Sequence, residues 1–150
     1  MTPRICHLFE SPQLRDAVAA LIHNEFWTEV PGASVQKMAG RLGNAATADA
    51  LPLCMVALHG DELLGVVNLV ENDDEDRTEW RPWLAGMVVA ERWRAKGVGS
   101  QLVRALLVEA KQLHLGRVYF GTDGPRFYKR LGAVVHHVPR EGFWYMRFDL

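Results

Sequence analysis

The chain has 150 residues, 49% of them apolar, and a formal net charge of −1. That suits one domain over residues 1–150 with a sizeable core, and it excludes the broad basic field of a nucleic-acid binder. Cys6 and Cys54 are too few for a disulfide framework and lack metal spacing, Arg4, His7, Glu10 and Arg15 interrupt any signal-peptide core, and no apolar run spans a membrane, so the expected location is the cytoplasm.

Arg4 to Glu10 alternates weakly and predicts a first strand. Ser11-Pro12 then opens a helix, with an acceptor side chain at the cap and proline in the first turn. Leu14, Val18, Leu21 and Ile22 carry its apolar face to about Trp27, where Glu29-Val30-Pro31-Gly32 breaks it. Ser34 caps a second helix whose inner face is Val35, Met38, Ala39 and Leu42. After a small-residue loop, Leu53 to Leu58 and Leu64 to Val70 are strand runs joined by a turn at His59 to Leu63. Glu71 to Glu79 then sets six acids against one base, Arg77. Such a run is usually a solvated loop, but beside Trp80 and Trp83 it can also wall a site for a cation.

Leu84 to Ala90 is the apolar run of a strand buried on both faces. Beyond it, Val98, Leu102, Leu106 and Leu113 share one stripe of a helix from Gly97 to about His114. Where that helix needs a Ser, Thr, Asp or Asn cap the chain has Lys96, which leaves the first N–H groups without a side-chain acceptor. Gly97 and Gly99 admit a ligand to the bare backbone, and Arg92, Arg94 and Lys96 add positive charge. This describes a phosphate or pyrophosphate pocket. It is not a Rossmann turn, whose third glycine is replaced by Leu102, nor a P-loop, whose Gly-Lys-Ser/Thr is missing.

Arg117 to Gly121 predicts the next strand, and Thr122 or Asp123 caps a short helix opened by Pro125 and closed by Gly132. Ala133 to Val138 and Phe143 to Phe148 form a closing hairpin. His136 and His137, as strand neighbours, point to opposite faces with no third ligand evident, so no metal is expected.

Arg94-Ala95-Lys96-Gly97-Val98-Gly99, preceded by Val89-Ala90-Glu91-Arg92-Trp93, resembles the acyl-CoA loop of the GNAT superfamily of N-acetyltransferases. Phe127-Tyr128-Lys129-Arg130-Leu131-Gly132 is similar to that family's Phe-Tyr-x-x-x-Gly segment. Asp73, Arg77, Pro82 and Trp83-Leu84-Ala85 further resemble a pattern of one bacterial subgroup. The order of elements alone supports an α/β or α+β fold; the resemblance implies a mixed central sheet of about seven strands, helices on both faces, and splayed strands ending near Val89 and Gly121.

The resemblance also implies acetyl-CoA as acyl donor, with Met87, Val88 and Val89 along the pantetheine and Arg94, Ala95, Lys96, Gly97, Val98, Gly99 and Ser100 around the pyrophosphate. The Val89 N–H would polarise the thioester and Tyr128 would protonate the departing thiolate. A strand-borne Glu that some members use as base falls near Trp83, which cannot serve; Asp73, Glu71 or a water chain takes its place. Trp27, Glu29, Glu71, Asp73 and Trp83 are the expected acceptor residues. The implied activity is direct acetylation of a primary amine in a ternary complex, with a small cationic acceptor, no metal, no nucleic acid and no membrane; a homodimer is compatible with it. Acetylation of protein N-termini or lysines, or an acyl-CoA-binding module without catalysis, are the alternatives.

Overall fold

In the computed structural model, which describes residues 2–150, the chain runs β1 (Arg4–His7), α1 (Arg15–Phe26), α2 (Val35–Leu42), β2 (Leu53–His59), β3 (Glu62–Val70), β4 (Trp83–Val89), α3 (Val98–Gln112), β5 (Arg117–Thr122), α4 (Pro125–Arg130), β6 (Val134–Arg140) and β7 (Phe143–Asp149). The strands form one mixed sheet in the order β1-β2-β3-β4-β5-β7-β6, antiparallel throughout except between β4 and β5. Helices cover both faces, as expected.

The first strand is shorter than its sequence suggests. Glu10 turns back to accept the His7 N–H at 2.9 Å, and Leu8–Glu10 becomes a tight 3-10 turn. Ser11 does not cap with its side chain; a second 3-10 turn at Pro12–Leu14 leads into α1 instead. At α2 the cap is as expected, with the Ser34 hydroxyl accepting the Lys37 N–H at 3.1 Å.

Strand alternation sends successive side chains to two cores. Leu53, Met55, Leu64, Leu69 and Leu84 pack with Leu102 and Leu106 of α3 and with Phe120 and Met146. Cys54, Val56, Leu58, Val66 and Val88 face Val18, Ala19 and Ile22 of α1. Cys6 and Cys54 belong to this second layer, and burial pushes the Cys54 thiol up to about 12, so it stays a protonated, inert packing group.

Two irregularities open the sheet. Strands β4 and β5 pair only at Trp83 and Tyr119, where the Tyr119 N–H donates to the Pro82 carbonyl at 2.9 Å. Beyond that point they diverge. On the other edge of β4, Val88 faces Val66 and Ala85 faces Asn68, so Gly86 and Met87 together oppose the single residue Val67. This is a β-bulge, and Gly86 sits in it at φ 56°. A further register shift in β6 between Val135 and His137 overturns the expectation that His136 and His137 face opposite ways. Both rings approach Trp80, with centroids 4.6 and 6.3 Å away.

Candidate active site

Gly97, not Lys96, occupies the cap position of α3, at φ 84° and without a side-chain cap. The conclusion about exposed N–H groups survives, because glycine offers no acceptor and the left-handed backbone suits it. A Cβ there would meet nothing within 4 Å, so the space above the turn is open. Gly99 is different. A Cβ on it would lie 3.2 Å from the Phe127 ring and 3.5 Å from Met87 Cε, so its role is to let α3 sit close to α4 and β4.

A cleft of about 430 Å³ runs along this turn and takes in Met87, Val88, Val89, Arg94, Ala95, Gly97, Val98, Gly99 and Ser100; of the ten expected donor residues only Lys96 is missing from its lining. The three expected cations separate. Arg94 borders the cleft, donating from Nε to the Val89 carbonyl at 2.9 Å and pairing with Glu25 at 3.4 Å. Arg92 turns away to Glu62, 3.4 Å distant, and stacks over Trp93.

Where β4 and β5 diverge lies a second cleft of about 580 Å³, lined by Leu84 to Met87 on one side and by Gly121, Thr122, Asp123 and Tyr128 on the other. The Ala90 N–H donates to Leu64 of β3 at 2.8 Å, and alternate amides of a strand point to opposite edges. The N–H of Val89 is therefore directed away from β3, toward the gap, on the same edge as its carbonyl. Tyr128 reaches the cleft from α4, held against Phe120 and Phe127 with ring centroids 4.4 and 4.9 Å apart. Burial pushes its phenol up to about 12, so it carries its proton throughout the physiological range.

A third hollow of about 540 Å³ opens between α1, α2 and the start of the acidic loop, sharing Trp27, Asp73, Ala85 and Gly86 with the second cleft. Asp73 keeps surface exposure as a residue, yet the walls of both hollows crowd its carboxyl. Desolvation raises its pKa to about 6, with Asp74 adding to the rise and Arg41 opposing it.

Trp27, Glu71 and Asp73 thus meet at this hollow, while Glu29 and Trp83 line neither it nor the second cleft. Trp83 is 2% exposed, its indole N–H donating to the Trp80 carbonyl and its ring edge-on to Tyr145. It is a wall behind the loop rather than a contact surface. Glu71 is bound to Arg81 at 3.1 Å, and Asp74 accepts the Tyr145 hydroxyl. Two of the six acids are thus engaged, and Asp73 is the acid that borders both hollows. Sequence reasoning missed Gly86, Asn68, Glu25 and Arg41. A glycine inside a strand run is a bulge signal that could have found Gly86. Arg41 gave none, since an arginine on a helix is ordinarily a solvated side chain. Among the described residues no group of three or more His, Cys, Asp or Glu could hold a metal, and no helix is long and apolar enough to cross a membrane.

Comparison with known proteins gives this geometry a family context. Residues 19–133 match the model of the acetyltransferase (GNAT) family. No curated protein matches the sequence. Among solved structures, an aminoglycoside 6'-N-acetyltransferase complexed with coenzyme A is similar over 97% of this chain and 96% of its own, at 17% identity and a TM-score of 0.74. The aminoglycoside 6'-N-acetyltransferase from Enterococcus faecium has the same identity and coverage with a TM-score of 0.73. An acyl-CoA N-acyltransferase from Pseudomonas aeruginosa reaches 22% identity, 97% of both chains and 0.66. At such identities these likenesses establish the shared fold.

Proposed function

The chain belongs to the GNAT family of acetyltransferases, and from that premise we propose that it transfers an acetyl group from acetyl-CoA directly to the primary amine of a small acceptor that arrives as an ammonium ion. The observation that carries this reading is that Asp73 and Tyr128 line one gap in the sheet, and that Val89 and an uncapped helix start line the cleft adjoining it at Met87.

Acetyl-CoA supplies the activated acyl group as a thioester. The first-turn N–H groups of α3 fit its pyrophosphate, because the Gly97 turn is open above and aims backbone donors outward. The exposed edge of β4 suits an amide-bearing arm, by the physics that adds a strand to a sheet. Val89 donates its N–H to the carbonyl oxygen as negative charge develops there. Asp73, ionised above about pH 6, takes one proton from the ammonium so that a neutral nitrogen attacks, and the second proton that nitrogen loses as the amide forms passes through water to solvent. Tyr128 gives its phenolic proton to sulfur as the C–S bond breaks and is reprotonated from solvent. One C–N bond forms, one C–S bond breaks, and holding both reactants together supplies much of the rate. Cys6 and Cys54 are buried in the layer beneath α1 and line neither cleft, which supports direct transfer over a thiol acyl-enzyme.

Initial-rate kinetics over both substrates test the proposal. Intersecting double-reciprocal lines are expected, with no acetyl adduct on the protein after incubation with acetyl-CoA alone. Parallel lines with a stable mass increase would replace direct transfer by a covalent route. Absence of turnover across amines and peptides, with acetyl-CoA still bound, would favour a binding module.

A further inference from the structure

The third hollow is built unlike a site for a polycation. Ile22, Met38, Leu42, Leu51 and Val70 are the large apolar chains of its wall beside Trp27. Asp73 stands at the end that joins the catalytic gap, and Glu71, the second acid in the lining, is already engaged with Arg81. Arg41 shares the lining, near enough for its charge to act on Asp73. Its guanidinium lies 5.6 Å from the centre of the Trp27 ring, and it joins none of the ion pairs formed among the described residues. Arg41 also borders an adjoining hollow of about 270 Å³ that holds His23 and Lys37 and no carboxylate. There the His23 Nδ1 atom is buried with no hydrogen-bond partner among the described residues.

An acid and a cation thus stand within electrostatic reach of each other beside an apolar wall, the pairing that the adjacent amine and carboxylate of an α-amino acid would meet. We propose that the acceptor is an amphipathic zwitterion of the apolar amino-acid class, with its amine at Asp73, its aryl or alkyl body in the hollow, and its carboxylate on Arg41. This rests on the amine-transfer reading and names the acceptor within it. A polyamine or aminoglycoside would bring further ammonium groups against apolar walls and toward Arg41, where they lose water and meet like charge. A zwitterion pairs its anion with a planar guanidinium suited to two parallel hydrogen bonds. The hollow also has room for an aromatic side chain.

Calorimetry on the CoA-saturated protein tests this with three probes: L-phenylalanine, 2-phenylethylamine and spermidine. L-Phenylalanine is expected to bind most tightly, with 2-phenylethylamine weaker and spermidine weakest. Arg41→Met, an exposed substitution that leaves both cores untouched, should weaken L-phenylalanine by about tenfold or more, the scale of a charge-assisted contact. It should change 2-phenylethylamine by less than about twofold, because no carboxylate is there to lose. Spermidine binding as tightly as L-phenylalanine, equal losses for both phenyl probes, or no saturable binding of L-phenylalanine would each overturn the proposal. A parallel acetylation assay separates it from the reading beneath. Arg41-dependent binding of L-phenylalanine without acetylation would keep the zwitterion site and remove the transferase role for it. Acetylation confined to spermidine would keep amine transfer and remove the zwitterion.

Discussion

Two side chains at the gap have been driven from their ordinary acidity, and in each case the direction matches the proposed task. Tyr128 stays protonated because packing against Phe120 and Phe127 disfavours the phenolate. Tyr128→Phe should lower kcat by roughly 10²-fold, the scale of a lost general acid, with the affinity for acetyl-CoA hardly moved. Near-native turnover where chemistry limits the rate would return Tyr128 to a packing role. Asp73 is raised to about 6 from 3.8, which makes it a base poised just below neutrality. The pH profile of kcat/KM should therefore fall on its acid side with an apparent pKa of about 6, and Asp73→Asn should abolish that limb. The same shift has a stability consequence. The folded state holds the Asp73 proton more tightly than the unfolded chain, so ionisation costs stability as pH rises from about 4 through about 6. Asp73→Asn should raise Tm at pH 7.5, and the gain should vanish near pH 4, where both residues are neutral. A loss of Tm at pH 7.5 would contradict the desolvated setting.

At the scale of single elements, α3 does two jobs with opposite ends of its length. Its middle is core: Leu102 and Leu106 are fully buried against β2 and β3. Leu102→Ala should cost about 2–5 kcal/mol, read as a lower denaturant midpoint at unchanged slope. Its first turn is the proposed binding surface for the pyrophosphate, and its shape depends on Gly97. Any side chain there strains the left-handed turn even though the space around it is empty. Gly97→Val should thus weaken acetyl-CoA by at least about tenfold while far-UV helicity is kept; unchanged affinity by calorimetry would move the pyrophosphate elsewhere. Gly99→Val is the less clean probe, because it pushes on Phe127 and through it on Tyr128. In β4 the bulge at Gly86 bends the strand beside Ala85 and Met87, and a Cβ at Gly86 would lie 3.0 Å from the Asn68 amide.

Across the whole molecule, the site exists because distant pieces of chain are held against one gap. Asp73 comes from the β3–β4 loop, Tyr128 from α4, Trp27 from the end of α1 and Arg41 from α2. One tie between them is the Tyr145 hydroxyl on Asp74, a bond between residues 71 apart that anchors the acidic loop to β7. Tyr145→Phe should loosen that wall and raise KM for the acceptor by about three- to tenfold, leaving KM for acetyl-CoA unchanged. An equal change in both would mean that the substitution disturbs the sheet rather than the loop.

The turn proposed for the donor was legible in the chain itself, because such a turn is local. A strand run, an uncapped helix start and two glycines lie within a few residues, and the shape of the turn follows from their own backbone preferences. Element order was legible for the same reason, since apolar periodicity reports which face of each segment must be buried. The acceptor half was not. Trp83 and Glu71 read as free walls of a cation site until the strand pairing buried one beside Tyr145 and set the other against Arg81. Arg41 carried no signal until α2 was docked beside Trp27. Whether a charge is spent or available depends on which partner lies within a few ångströms, and only the tertiary structure decides that.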